Sequence, residues 1–309
     1  GTVAAALALL DAERCDVVIG IGGGSVLDTA KAVALSKTNP GPLKDYAGLG
    51  KVKNPPLPVI AIPTTAGTGS EVSRGALIVT QRDGVVRKTI VGGPPLAPSW
   101  AILDPELTLS LPAFLTAATA IDALSHAIEE LASPAPHPVV AAIAEGALRL
   151  VVHHLPRVRV DPRDLEGRDA LLSAAMMGGI GFEKGLGATH SLSHAIGALH
   201  PDAHHGALNG VLLPHVLRFN RESMNPDAID AIARAMKIDA RGTAAVDEAA
   251  RLVESIARSL ELPSRLRDLG VPAGIRGEAI DRALDDHCHK TNPRPCDTAS
   301  FGEIWDAAY

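Results

Sequence analysis

Aromatic residues are scarce in this chain. They make up 3% of its 309 residues, with four Phe, two Trp and two Tyr, so a core has to be packed from Ala, Leu, Val and Ile. The apolar content is nevertheless 46% against 21% charged residues, which is typical of a soluble globular protein. This length allows two domains or one large one.

Basic charge, cysteine and long apolar runs are also lacking. The net charge of -6 leaves no basic surface of the kind that binds nucleic acid. Three cysteines, Cys15, Cys288 and Cys296, cannot build a closed disulfide framework, and this favours a cytoplasmic location. No stretch reaches the ~18 consecutive apolar residues of a membrane span, and residues 3–10 lack the basic flank of a signal peptide. We therefore expect neither a nucleic-acid partner nor a membrane.

Two segments with similar sequences carry paired metal-ligand residues. They are ATAIDALSHAIEE at 118–130 and ATHSLSHAIGAL at 188–199. The pairs spaced four apart are Asp122 with His126 and His190 with His194. On a helix this spacing places both side chains of a pair on one face, and a carboxylate with imidazoles suits iron, zinc or manganese. Two amphipathic helices with solvent-facing histidines are the alternative. The second pair and the following His204-His205-Gly206 favour the metal site.

A glycine-rich turn follows the first predicted strand. DVVIGIG at 16–22 has the composition of a buried parallel strand, and it leads through Gly22-Gly23-Gly24-Ser25 into a predicted helix. A strand, a glycine turn and a helix start together present backbone N–H groups and a positive dipole end to a phosphate. The turn is not the dinucleotide GxGxxG pattern, so an ordinary tight turn fits this segment equally well.

A second small-residue turn follows the next predicted strand. PVIAIP at 58–63 runs into TTAGTGSE at 64–71. Two such turns at strand ends agree with the rule that open α/β sheets bind ligands beyond the carboxyl ends of their strands. Further strands are predicted at 76–80, 88–92 and 100–104, the first two forming a hairpin through residues 81–84. Lys88 can reach a phosphate, although its pattern alone favours a solvated strand residue.

From residue 104 onward the pattern becomes helical. Periodicity predicts helices at 113–132, 137–156, 164–181, 188–199, 208–219, 226–236, 243–261, 275–286 and 299–308. The sequence thus predicts a mixed α/β domain over residues 1–107 and an all-helical, metal-binding domain over residues 108–309, with the active site between them. HCHKTNPRPC at 287–296 matches no zinc-ligand spacing and is interpreted as structural.

Taken in order, these segments resemble the iron-containing (group III) alcohol dehydrogenase family. The segments that carry the resemblance are GGGSVLDTAK, PTTAGTGSEVSR, ILDPELTLSLP, AIDALSHAIE, EKGLGATHSLSHAIGAL, HHGALNGVLLPHVLRFN and NPRP. The resemblance implies a dehydroquinate synthase-like fold, with a parallel-sheet nucleotide-binding domain followed by an all-α domain. It also implies hydride transfer between a small alcohol, or its aldehyde or ketone, and NAD or NADP.

The resemblance also implies a role for individual residues. The ligands of one divalent metal, with iron expected and zinc the alternative, would be Asp122, His126, His190 and His205. His204 is the other candidate for the last ligand, because the family has one histidine before this glycine and this chain has two. His194 would lie beside the substrate and relay its proton. The cofactor would contact Gly23, Gly24, Ser25, Asp28, Thr64, Thr65, Thr68, Lys88 and Leu107.

The family also sets expectations for the whole molecule. Its members carry roughly eighty to ninety further residues before the first helix of this chain, which supply the first βαβ unit of the nucleotide domain. The resemblance therefore implies a nucleotide domain that is truncated at its N-terminus and binds nicotinamide weakly, with NAD and NADP both open. A homodimer is expected. Maleylacetate reductases, glycerol dehydrogenases and a non-catalytic remnant of such an enzyme remain as alternatives.

Overall fold

A parallel three-stranded sheet forms the centre of the first part of the chain. The computed structural model describes residues 2–82 and 85–309, without the side chains of residues 79–89. The sheet has the order β1 (Val18–Gly22), β3 (Val59–Pro63) and β6 (Trp100–Ala101), and β1 pairs with β3 in the register Val18 with Val59. Its parallel strands confirm the predicted sheet type.

A second, mixed sheet lies beside the first. Its order is β2 (Gly48–Leu49), β5 (Val85–Gly92) and β4 (Gly75–Arg82), with β2 parallel and β4 antiparallel to β5. The β4–β5 pair confirms the predicted hairpin, whereas the predicted turn at residues 83–84 lies outside the described residues. Strand β2 was not predicted, because two residues in a Pro- and Gly-rich loop carry no periodicity.

Helices make up most of the remaining chain. Two of them, α1 (Thr2–Ala12) and α2 (Gly24–Thr38), belong to the sheet-containing part. The others are α3 (Ala113–Ala132), α4 (Pro138–Val160), α5 (Leu165–Gly181), α6 (Ala188–Leu199), α7 (His205–Asn220), α8 (Pro226–Met236), α9 (Thr243–Ser259), α10 (Arg276–Asp285) and α11 (Thr298–Ala308). The predictions for α3, α6 and α8 are confirmed to the residue.

Small aliphatic side chains fill the core of the helical part, as the scarcity of aromatics requires. The larger cluster joins α3, α4, α5, α7, α8 and α9 around residues such as Ile121, Leu148 and Leu172, each fully buried. A second cluster surrounds Trp305 and Phe301 and packs α11 against α6, α7 and α10. Helix α3 contacts α4, α5 and α7, so the helix that carries Asp122 and His126 is enclosed on several sides.

Helix α7 departs from the sequence-based prediction at its start. It begins at His205 rather than at residue 208, and it contains Pro214. The earlier start brings His205 into the first turn of α7, four residues before the buried Asn209.

Helix α4 is, among the described residues, the one helix that is long and apolar enough to cross a membrane, but the core helix of a globular protein passes the same test. Its buried residues pack against α3 and α5.

Candidate metal and active site

Four predicted ligand side chains converge on one point between α3, α6 and α7. The Nε2 atoms of the three histidines lie around Oδ1 of Asp122, at 3.7 Å for His126, 3.6 Å for His190 and 3.5 Å for His205. These distances are too long for hydrogen bonds. They match the separation of about 3.4 Å between ligands that share one tetrahedral ion at bond lengths of about 2.1 Å. The ligand atoms of Asp122, His126 and His190 all lie within 4.8 Å of one another, so this donor set fits a divalent metal ion, with His205 on a further side of Asp122.

The centre is enclosed on all sides but one. The side chains of Asp122, His126 and His190 are at most 5% exposed, whereas His205 is 30% exposed. Burial lowers the pKa of His126 to about 4 and holds the pKa of His205 well below its usual value, so both are neutral and able to bind a metal. The exposed side of His205 marks the direction from which a substrate can approach.

Glu129 orients His190. Although burial alone lowers the pKa of His190, the nearby carboxylates of Asp122 and Glu129 raise it to about 10. Glu129 Oε2 lies 2.6 Å from His190 Nδ1, so this nitrogen carries the hydrogen and Nε2 faces the other ligands. The carboxylate also accepts hydrogen bonds from the backbone N–H groups of Gly187 and Thr189 at the start of α6. A metal that binds Nε2 replaces the proton that the metal-free site retains.

Asn209 contacts the centre and Asp286 contacts the adjacent His194, and neither residue was predicted. Asn209 Nδ2 donates to Asp122 Oδ1 over 2.7 Å and thereby orients the carboxylate. Asp286 Oδ2 lies 3.0 Å from Nδ1 of His194. The i,i+4 spacing of His205 and Asn209 is a signal that could have identified Asn209. Asp286 directly follows the end of α10, nearly one hundred residues from His194, and had no such signal.

His194 and His204 lie beside the four ligands. The ring of His194 stacks on His205 with centroids 5.2 Å apart, and its Nδ1 bonds Asp286. The ring of His204 instead meets the edge of Phe114, at 6.0 Å between centroids. His205 thus lies in the group around Asp122 Oδ1, His194 lies next to His205, and His204 packs against Phe114 instead.

The two small-residue turns lie against each other. A Cβ atom added to Gly24 would lie 2.7 Å from Thr68 Cγ2, and one added to Gly23 would lie 3.3 Å from Thr65 Cγ2. Helix α2 starts at Gly24, with Gly23 before it and no side-chain cap, which leaves its N-terminal N–H groups for a phosphate. The turns, with Ser25 and Thr64 alongside, therefore fit the pyrophosphate of a dinucleotide.

Three other predicted cofactor residues have different surroundings. Asp28 accepts hydrogen bonds from Ser70 Oγ at 2.6 Å and from the N–H of Leu77 at 2.9 Å, so it links α2 to the second turn and to β4. Leu107 is an exposed residue of a short 3-10 turn, Pro105–Thr108. The side chain of Lys88 lies outside the described residues, and its predicted contact stays a prediction.

A tight contact joins the second turn to the metal-binding helices. Gly69, with φ of 61°, packs directly on the backbone of Gly179 in α5, where an added Cβ would overlap the facing residue. Gly67 lies equally close to Thr119 of α3, with 2.7 Å between an added Cβ and Thr119 Cβ. The second turn thus packs on α3, which carries Asp122 and His126, and on α5, which packs behind His126.

Comparison with known proteins agrees with this site. A family model described as iron-containing alcohol dehydrogenase matches residues 1–105, and one for the C-terminal part of the same family matches residues 116–309. A 4-hydroxybutyrate dehydrogenase from Cupriavidus necator is 42% identical over 298 residues, which are 93% of this chain and 76% of that protein. A 1,3-propanediol dehydrogenase from Klebsiella pneumoniae is 36% identical over 307 residues, which are 98% of this chain and 78% of that protein.

Solved structures show the same fold. The crystal structure of a 1,3-propanediol oxidoreductase superposes with a TM-score of 0.94 at 34% identity, covering 99% of this chain and 80% of that one. The iron-containing alcohol dehydrogenase from Thermococcus thioreducens gives a TM-score of 0.87 at 28% identity, covering 100% and 81%. This chain therefore belongs to the iron-containing alcohol dehydrogenase family, as a nicotinamide- and divalent-metal-dependent alcohol dehydrogenase.

Proposed function

We propose that Asp122, His126, His190 and His205 hold one divalent ion and that His194 moves the proton of the alcohol substrate. The observation that carries the metal assignment is the convergence of three Nε2 atoms within 3.5–3.7 Å of one carboxylate oxygen. Two residues outside this set support it, because Glu129 and Asn209 hydrogen-bond His190 and Asp122 in the way that residues around a metal site orient its ligands.

The chemistry divides between the bound groups and the protein. A divalent ion bound here would supply a Lewis acid that lowers the pKa of the substrate hydroxyl, and a bound nicotinamide would supply the hydride acceptor. The side chain of His194 is 19% exposed and lies against His205, the most accessible ligand. Its Nδ1 is engaged by Asp286, so Nε2 is free to accept the hydroxyl proton and pass it to solvent.

The cofactor assignment uses the two turns. Gly23, Gly24 and Ser25 would present the start of α2 to the pyrophosphate, and Thr64, Thr65 and Thr68 would bound the other side. Asp28 would act through Ser70, by holding the second turn in place. The close contact of Gly69 with Gly179 sets the distance between this turn and the metal centre, which hydride transfer requires to be short.

The substrate we propose is a small primary alcohol. The names of three relatives specify 4-hydroxybutyrate, 1,3-propanediol and methanol, which are all small primary alcohols. We also propose that the functional units divide at residues 107 and 108 and that the enzyme is a cytoplasmic homodimer. Three unpaired cysteines support the location.

The test is metal-dependent alcohol oxidation by the complete enzyme. A chelator should abolish the alcohol-dependent formation of reduced nicotinamide, and Fe²⁺ or Zn²⁺ should restore it. His194→Ala should keep the metal and lose kcat by roughly 10²–10⁴-fold, which is the usual contribution of a general acid–base group. An unchanged kcat would remove His194 from the proton path, and loss of the metal would make it a ligand.

A further inference from the structure

We propose that Asp286 is a positioning residue for the dehydrogenase reaction, which holds His194 in the one ring orientation and tautomer that can exchange the substrate proton. This inference rests on the proposed proton-transfer role of His194. Asp286 Oδ2 lies 3.0 Å from His194 Nδ1, a normal hydrogen-bond length. Because a carboxylate can only accept, Nδ1 carries the hydrogen and Nε2 keeps its lone pair.

Asp286 is itself held by two donors on its other oxygen. Oδ1 accepts from Ser191 Oγ at 2.9 Å and from the N–H of Cys288 at 2.8 Å. Ser191 lies three residues before His194, on the same face of α6, and its hydroxyl oxygen also accepts from the N–H of His289 at 2.8 Å. Helix α6 and the segment after α10 therefore fix the carboxylate from both sides, and it cannot rotate away from the imidazole without losing these bonds.

The charge state of Asp286 agrees with this role. Burial alone raises the pKa of this carboxyl. Its hydrogen bonds to His194 and to the N–H of Cys288 lower the pKa by more than burial raises it, so the net pKa lies below its usual value. Asp286 is thus ionised at neutral pH. The arrangement repeats on His194 what Glu129 does for His190, namely a carboxylate on Nδ1 that leaves the hydrogen on Nδ1 and the lone pair on Nε2.

A second metal site is the rival interpretation of these residues. His194, Asp286 and Cys288 lie close enough together to be considered as ligands. However, burial raises the pKa of the Cys288 thiol well above its usual value, which disfavours the thiolate that metals bind. Both oxygens of Asp286 are also occupied by hydrogen bonds from the protein. The hydrogen-bonded pair is therefore the better assignment.

The test is a double-mutant cycle in the complete, metal-loaded enzyme. Asp286→Asn should lower kcat by about 10–100-fold, as other residues that orient an active group do, without changing metal content or the KM for the cofactor. Asp285→Asn is the matched control, because the neighbouring Asp285 is exposed, and it should retain wild-type kcat. In the double variant Asp286→Asn with His194→Ala, kcat should equal that of His194→Ala alone, because Asp286 acts only through His194.

A spectroscopic measurement complements the kinetics. In zinc-loaded protein with ¹⁵N-labelled histidine, His194 should show one tautomer, with the hydrogen on Nδ1, and Asp286→Asn should give a mixture. Losses that multiply in the double variant, an unchanged tautomer in Asp286→Asn, or loss of metal from Asp286→Asn would each overturn the proposal. If His194→Ala alone keeps its kcat, the proton-transfer role fails and the proposal fails with it. If His194→Ala loses kcat as expected but Asp286→Asn keeps the wild-type kcat, only the positioning role of Asp286 is refuted.

Discussion

Glu129 and His190 form a 2.6 Å contact that links the metal site to the start of a helix. Glu129 Oε2 receives the hydrogen of His190 Nδ1, and the same side chain accepts the backbone N–H groups of Gly187 and Thr189. One buried carboxylate thus fixes the tautomer of a proposed ligand and stabilises the N-terminus of α6, where negative charge is favourable. The position of His190 therefore depends on a residue in a different helix.

Replacing Glu129 should weaken metal binding. Glu129→Gln keeps the shape of the side chain but removes the charge that orients His190, so metal affinity should fall by about 10–100-fold. Glu130→Gln is a matched control, because Glu130 is equally buried but neither of its oxygens has a hydrogen-bond partner in the described structure. Titration of the apo-proteins with Zn²⁺ measures both. Equal affinities in the two variants would contradict the assigned role of Glu129.

The adjacent histidines before Gly206 should differ in their effect on metal binding. Nε2 of His205 lies 3.5 Å from Asp122 Oδ1, whereas the ring of His204 packs against Phe114. His205→Ala should therefore remove most of the bound metal and His204→Ala should retain it, as measured by elemental analysis. The reverse pattern would show that His204 is the ligand.

Glu71 should make the stability of the protein depend on pH. This carboxyl is buried, and burial raises its pKa from 4.5 to about 6. A raised folded-state pKa gives stability that is fully present below about pH 4.5 and is lost as the pH rises through about 6, at a cost of up to ~2 kcal/mol. Glu71→Gln should therefore unfold at higher denaturant concentration than wild type near pH 7.5, with no advantage near pH 4.5.

The control for this measurement is Glu13→Gln, which changes an exposed carboxyl in the first part of the chain. Its stability should follow that of the wild type at both pH values. If Glu71→Gln is no more stable than Glu13→Gln near neutral pH, burial does not destabilise the ionised form of Glu71, and the raised pKa is contradicted.

The contact between Gly69 and Gly179 should not tolerate a methyl group. A Cβ at Gly179 would overlap the carbonyl oxygen of Gly69, so Gly179→Ala should cost about 1–3 kcal/mol and raise the KM for the cofactor as the second turn is displaced. Gly277→Ala in α10 is the control, because nothing lies within 4 Å of its added Cβ. It should stabilise the helix by about 0.5–1 kcal/mol. Denaturant unfolding compares the two, and equal stabilities would contradict the contact.

The sequence predicts the parts of this site that follow helical periodicity. The spacing of Asp122 with His126 placed both on one face of α3, and the glycine turns identified two of the three strand ends beyond which a ligand can bind. Most helices were predicted within a few residues, because α3 and its neighbours α4 and α5 are long enough for their periodicity to be clear. The predicted division at residues 107 and 108 stays a proposal.

Other parts of the site depend on tertiary contacts that periodicity does not show. His190 and His194 have ligand spacing, yet only His190 lies in the group around Asp122 Oδ1, whereas His194 bonds Asp286, the residue after α10. Glu129, Asn209 and Asp286 act across 61, 87 and 92 positions of the chain, and no local pattern indicates such pairs. The segment at 287–296, interpreted as structural, still contributes through the N–H of Cys288, which helps to hold Asp286.

The most direct test of the metal site is elemental analysis of four purified proteins: the wild type, His126→Ala, His190→Ala and His194→Ala. We expect about one divalent ion per chain in the wild type, removable by a chelator, because four ligands enclose a single point. Iron, zinc or another divalent metal can occupy the site after purification, since affinity follows the metal series. It should be lost from His126→Ala and His190→Ala and retained in His194→Ala. Full occupancy in both His126→Ala and His190→Ala would contradict the assigned site.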